Sequence, residues 1–170
     1  MDYHKIMPQS DILNILLAHD RWATLQILDA CAKLSPQQFH QKFEIGPGSL
    51  HNTLIHMLAA IRTWTDTLAA RELAPRLDSD GKQRTPAEFV PLIAAVYDEF
   101  ARQAHRRPLE EVMTRVRPGR TIQITRGAIL AHVATHGMHH RAQCLNMLRR
   151  FGVSPLPPSS VSEWTWIADA

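Results

Sequence analysis

The chain has 170 residues, 45% of them apolar and 21% charged, as expected of one globular domain with a core. A formal charge of +3 is too small to imply nucleic-acid binding by itself, no run of eighteen apolar residues predicts a membrane span, and Met1–Lys5 is followed by no apolar leader segment. Cys31 and Cys144 have neither C-x-x-C spacing nor a dense framework, so reduced thiols in a cytoplasm are expected.

Ser10 and Asp11 are suited to cap a first helix reaching about Leu34, with Ile12, Leu13, Leu16, Leu17, Trp22, Leu25, Leu28 and Cys31 as a wide apolar surface. Ser35-Pro36 turns the chain, and residues 36–48 read as a connection with a helical turn through Gln37–Phe39. Ser49 caps a second helix to about Arg71, apolar along Leu50, Leu54, Met57, Leu58, Ile61, Trp64 and Leu68. His56 lies on the flank of that face beside Ala59, Ala60 and Thr63, small residues that admit another helix or a ligand.

Residues 74–84 have loop composition, and Thr85-Pro86-Ala87-Glu88 is a capping box with proline at the first helical position. The third helix carries Phe89, Leu92, Ile93, Val96, Tyr97 and Phe100; Pro91 inside it predicts a kink or a later regular start. Seven arginines fall between Arg102 and Arg126, with Arg115, Arg117 and Arg120 flanking a Pro118-Gly119 loop. No aromatic residues interleave with them to stack bases, so a solvated loop is preferred over a nucleic-acid surface. Ile122 and Ile124 alternate with polar residues, as in a short extended piece. A fourth long helix, about 125–151, stops at Gly152, and a Pro- and Ser-rich tail leads to Trp164-Thr165-Trp166-Ile167, expected to dock on the body or on a second subunit. The pattern is all-α, a four-helix bundle in a single domain over 1–170.

The fourth helix holds the chemistry. His132, His136 and His140 recur every fourth residue, which on a helix stacks them on one face, rising about 6 Å per step. Ile129, Val133, Met147 and Phe151 share that stripe, with Cys144 at its edge, so the imidazoles are expected on the core side. Buried polar rings must be paired, and metal coordination is the sharpest way to pair them. One H-x-x-x-H pair alone would more often be a satisfied core histidine; three in strict register reverse that preference. Position 137 is Gly, so the H-E-x-x-H general base of a zincin is missing.

A third ligand must come from a facing helix, and His19, Asp20, His51, His56 and His105 are all candidates, with spacing favouring His56. Three neutral imidazoles with open positions suit a catalytic rather than a structural ion. Zinc or nickel fits best; iron or manganese is also accommodated.

The run His132-Val133-Ala134-Thr135-His136-Gly137-Met138-His139-His140-Arg141-Ala142-Gln143 resembles the H-x-x-x-H-x-x-x-H-R-G-Q pattern of the DinB/YfiT-like family, with Ala142 where that family often has Gly. Ser49–Leu58 with Trp64 is similar to the family's second helix, His19-Asp20-Arg21-Trp22-Ala23 to its first, and Leu148–Val153 with Pro155 and Pro157 to its usual ending. The resemblance implies an up-down-down-up four-helix bundle whose divalent metal is held by His56, His136 and His140. His132 becomes a supporting histidine, His139 points off the stripe, and Cys144 is a buried inert thiol. Arg141 is expected at the surface or an interface, and Gln143 is placed to orient a ligand.

The resemblance further implies a metal-dependent S-transferase acting on a small-molecule substrate with a low-molecular-weight thiol, and a homodimer. The alternative is a non-catalytic metal- or small-ligand-binding stress-response protein. No general base or other catalytic residue is identified, and no nucleic-acid or membrane partner is expected.

Overall fold

The structure, a computed structural model, describes residues 11–117 and 119–168. The fold is mostly helical. Its helices are α1 (Ile12–Ala32), α2 (Pro36–His40), α3 (Leu50–Leu68), α4 (Pro86–Ala104), α5 (Arg126–Arg150) and α6 (Val161–Ala168). Strands β1 (Val112–Arg117) and β2 (Arg120–Thr125) form an antiparallel hairpin. The four long helices pack in a closed ring, α1 on α5, α5 on α3, α3 on α4 and α4 on α1.

The caps follow from the sequence. Asp11 accepts the Leu13 amide at the start of α1, whereas Ser10 lies outside the described residues. Ser49 accepts the Asn52 amide, and Thr125 the Ala128 amide, satisfying amides that have no partner within the first turn. The Thr85–Glu88 capping box is formed, and a second one, Ser35 with Gln38, starts α2. Pro91 sits inside α4, which is regular from Pro86.

Two helices end on the same device. At α5, the Gly152 amide donates to Arg149 and the Val153 amide to Leu148, with Gly152 left-handed at φ +78°. At α3, Ala70 takes that place at φ +51°, donating to Thr67, while Arg71 donates to Asp66. The second helix therefore ends at Leu68, short of the expected Arg71. An alanine is held in a glycine conformation there because Asp66 secures the next turn, accepting from Arg71 Nε and the Ala74 amide.

The segment expected as an arginine-bearing loop is the hairpin. Ile122 and Ile124 are its alternating half-buried residues, and Gly119, at φ +77°, sits at the tip. The arginines do not form one face. Arg102 pairs with Glu99 and Arg107 with Glu111. Arg126, the first residue of α5, is 1% exposed. Its guanidinium donates to the carbonyls of Leu68 and Gln103, placing a cation against the terminal carbonyls of α3 and α4.

The core runs through Ile27, Phe39, Leu50, Leu54, Leu58, Phe89, Ile93, Phe100, Ile129, Met147 and Leu148. Cys31 and Cys144 are both buried and free. Trp164 docks α6 on α1, where His19 Nε2 lies 3.0 Å from the Ser159 carbonyl; Trp166 on the same helix is 71% exposed.

Candidate metal centre

The imidazoles of His56, His136 and His140 meet between α3 and α5. One nitrogen from each lies within 4.8 Å of the other two. His136 Nε2 and His140 Nε2 are 3.1 Å apart. Two nitrogens bound to one ion stand roughly 3 Å apart, given metal–nitrogen bonds of about 2.0–2.1 Å.

The outer nitrogens of two rings are already spoken for. His56 Nδ1 lies 3.1 Å from Asp78 Oδ2, and His140 Nδ1 lies 2.8 Å from Gln143 Oε1. Each of these oxygens accepts an N–H, which fixes the tautomer and leaves an Nε2 lone pair free to bind a cation. With His140 in that tautomer, two electron-rich nitrogens face each other unless a proton or an ion lies between them. Burial, reinforced by the charges that His140 and His56 would carry, lowers His136 to about 4. Burial also lowers His140, against the Gln143 hydrogen bond, which raises it. Near neutral pH these rings are unprotonated, so a metal ion suits the gap better than a proton does.

The supports come from outside the two helices. Asp78 sits in a 3₁₀ turn, Leu77–Ser79, that packs on α3. Burial alone would raise its carboxyl, but Arg76 and His56 outweigh this and hold it below its usual range. Gln143 is braced by the loop before α3. A side chain at Gly46 would collide with the Gln143 amide, and Gly46 is also left-handed at φ +49°. Gln143 Nε2 in turn lies 2.9 Å from His139 Nε2.

Three of the remaining candidates for the third ligand have other partners, and the fourth lies at the surface. Asp20 pairs with Arg141, and His19 lies against Ser159. His51 accepts the Arg84 amide on Nε2 and meets Asn52 through Nδ1. His105 is an exposed C-cap of α4.

Two expectations need correction. The histidine stripe runs along the edge of the buried face of α5, not its centre. His140 is buried, His136 half-buried and His132 exposed, while Gly137 and Arg141 occupy the adjoining buried positions. Arg141 is therefore not a surface charge; it is 2% exposed and salt-bridged to Asp20. Tyr97 donates to the same carboxylate at 2.9 Å. Gly137 is small because a side chain there would strike Asp20 Oδ1 and the Arg141 guanidinium.

A sequence model of the DinB family matches residues 7–166. The chain belongs to the DinB family. Protein DinB of Bacillus subtilis (strain 168) is 26% identical over 159 residues, covering 87% of this chain and 91% of that relative. None of the described helices of this DinB-family chain is long and apolar enough to cross a membrane.

Sequence reasoning missed Asp78, Gly46 and the pairing of Arg115 with Trp64, whose ring centroid lies 4.5 Å from the guanidinium carbon. The signal for Asp78 was weak, because Asp78, Ser79, Asp80 and Gly81 read together as an ordinary polar loop.

Proposed function

We propose that this DinB-family chain binds one divalent metal ion through His56, His136 and His140 and uses it as a metal-dependent S-transferase. Its co-substrate would be a low-molecular-weight thiol. The observation that carries the metal reading is the convergence of three imidazole nitrogens within 4.8 Å, two of the rings being oriented from behind by Asp78 and Gln143. Three neutral nitrogen donors suit zinc or nickel and leave coordination positions for a small molecule. The bound ion would lower the pKa of a coordinated thiol and supply a thiolate near neutral pH.

The chain's own residues prepare the site. Asp78 and Gln143 hold His56 and His140 with their Nε2 atoms inward, and partial burial keeps His136 unprotonated. Cys144 is no rival thiol, since burial pushes it up to about 12. His132 and His139 flank the ligands, and neither belongs to the converging group.

Elemental analysis of purified protein and of His136→Ala tests the metal reading. One ion per chain in the former and a loss of more than about tenfold in affinity in the latter are expected. Equal metal in both, or none in the native chain, would overturn the assignment. A second reading, a non-catalytic binding module, is favoured by the engagement of the carboxylate nearest the ligands: Asp78 is committed to Arg76 and His56 and is no free base. Turnover with thiols and electrophiles that disappears on chelation and returns with metal selects the enzyme; metal uptake without turnover selects the module.

We further assign the chain to one domain, an up-down-down-up bundle, acting as a cytoplasmic homodimer. The bundle order is supported by Arg126, which touches the final turns of both α3 and α4, and by Asp20 on α1 meeting Arg141 on α5. The dimer is supported by an apolar groove of about 970 Å³ between α1 and α4, edged by Val90 and Ile167. A monomeric mass by sedimentation would overturn the dimer.

A further inference from the structure

Two of the ligand rings are oriented from behind by groups of different chemistry. His56 Nδ1 meets Asp78 Oδ2, and a carboxylate can only accept, so a neutral His56 carries its proton on Nδ1 and turns a bare Nε2 inward. His140 Nδ1 meets an amide instead, which has an accepting end and a donating end of nearly the same shape. The Gly46 loop presses on the whole width of that amide: a side chain at Gly46 would strike Oε1, Cδ and Nε2 of Gln143 alike. The loop therefore fixes the plane of the amide without telling its two ends apart. Among the described residues the amide has two hydrogen-bond partners, His140 at 2.8 Å and His139 at 2.9 Å.

These contacts form one line from His139 Nε2 through Gln143 to His140, and from His140 Nε2 across 3.1 Å to His136 Nε2. Two arrangements satisfy it. In the first, Gln143 Nε2 donates to His139 Nε2 and Gln143 Oε1 accepts from His140 Nδ1, which leaves a lone pair on His140 Nε2. In the second the amide is reversed. His139 Nε2 then donates to Oε1, the amide donates to His140 Nδ1, and His140 carries its proton on Nε2, where it bonds to His136 Nε2. Every ring is neutral in both arrangements. His139 and His140 each move one proton between their own nitrogens, so none is gained or lost. The first arrangement offers two lone pairs to an ion, and the second fills the same gap with a hydrogen bond.

We propose that His139 is a positioning residue: through the Gln143 amide it sets which nitrogen of His140 carries the proton, and so whether the site is open to a metal ion. This rests on the metal-centre reading above and adds how that same site is controlled from the exposed side of α5, where His139 lies. An acceptor at position 139 holds the open arrangement, and a donor there holds the closed one.

The test replaces the two-way imidazole by one-way groups. His139→Glu offers only acceptors and His139→Lys only donors, one helical turn from Gln143. Zinc affinity is measured by competition with a chromophoric chelator in the native protein and both variants, and again with Gln143→Leu added to each. The glutamate variant is expected to bind zinc about 100-fold tighter than the lysine variant, the scale of losses behind a ligand. The two also differ in charge, which acts on the ion with or without the amide, so Gln143→Leu is expected to narrow the gap to about threefold. Nitrogen NMR of metal-free protein at about pH 8, above the ordinary histidine range, gives a second readout. His140 is expected to be protonated on Nδ1 in His139→Glu and on Nε2 in His139→Lys. A gap of the same size with and without Gln143, or the same His140 tautomer in both variants, overturns the role of His139 and leaves the metal centre standing. Native protein that takes up no zinc overturns both.

Discussion

Two glycines decide how closely other parts of the chain can approach α5. Gly46 lets the loop before α3 rest on the Gln143 amide, and that amide orients His140. Gly46→Ala would displace Gln143 and free the His140 ring. Metal affinity is therefore expected to fall about 10- to 100-fold, as for other losses behind a ligand; competition with a chromophoric chelator measures it, and an unchanged affinity would remove Gln143 from the site's support. Gly137 leaves room for the Asp20–Arg141 pair. Asp20→Ala strips a buried guanidinium of its counter-charge and is expected to cost about 3–5 kcal/mol in urea unfolding. Asp20→Asn, which keeps a hydrogen-bond acceptor for Arg141, is expected to cost less. Near-native stability in Asp20→Ala would show that Arg141 finds other partners.

At the scale of elements, what the sequence made legible followed from periodicity and caps. Asp11, Ser49 and the Thr85–Glu88 box start their helices as their side-chain chemistry requires, and Gly152 stops α5. Spacing also led to His136 and His140, because on a helix every fourth residue returns to the same side; it only favoured His56 among several candidates, and the family resemblance singled it out. The face itself was misplaced. Ile129, Val133 and Met147 are buried as expected, but the buried arc extends the other way, to Leu130, Gly137, Arg141 and Leu148. An arginine in that arc looked like a surface residue, since its partner, Asp20, lies far away in sequence. The hairpin was hidden for a similar reason. Only Ile122 and Ile124 showed alternation, while β1 is rich in arginine and has a half-buried Arg115 where an apolar residue is usual. Asp78 and Gly46 act through contacts formed only in the folded chain, so no local pattern marks them.

For the whole molecule, the histidines couple folding to pH. Burial lowers His136 to about 4 and also lowers His19, His51 and His140 below their ordinary 6.5. The unfolded chain then binds protons that the folded chain refuses in the window between about 4 and 6.5. Stability is therefore fully present above that window and is lost as pH falls through it. Asp80, held down to about 2 chiefly by Arg84, adds its loss only in more acidic solution. Thermal unfolding of metal-free protein is expected at a lower Tm at pH 5 than at pH 7.5. Added zinc should raise Tm at pH 7.5 and do so far less at pH 5, where protons compete for the same nitrogens. A metal-free Tm that is flat across the window would show that these rings carry no folding linkage.

Arg126 has a mechanical consequence for the hairpin. Its side chain ties the ends of α3 and α4 together, while its backbone amide donates to Glu111 and the next amide, of Gly127, donates to Leu109. The hairpin thus springs from a fixed pivot, with Arg115 part-way along one arm and the tip, near Gly119, as the free end of a lever. A tilt large at the tip becomes a small one at Arg115. Any tilt of the hairpin is therefore greatest near Gly119 and smallest where Arg126 joins it to α5.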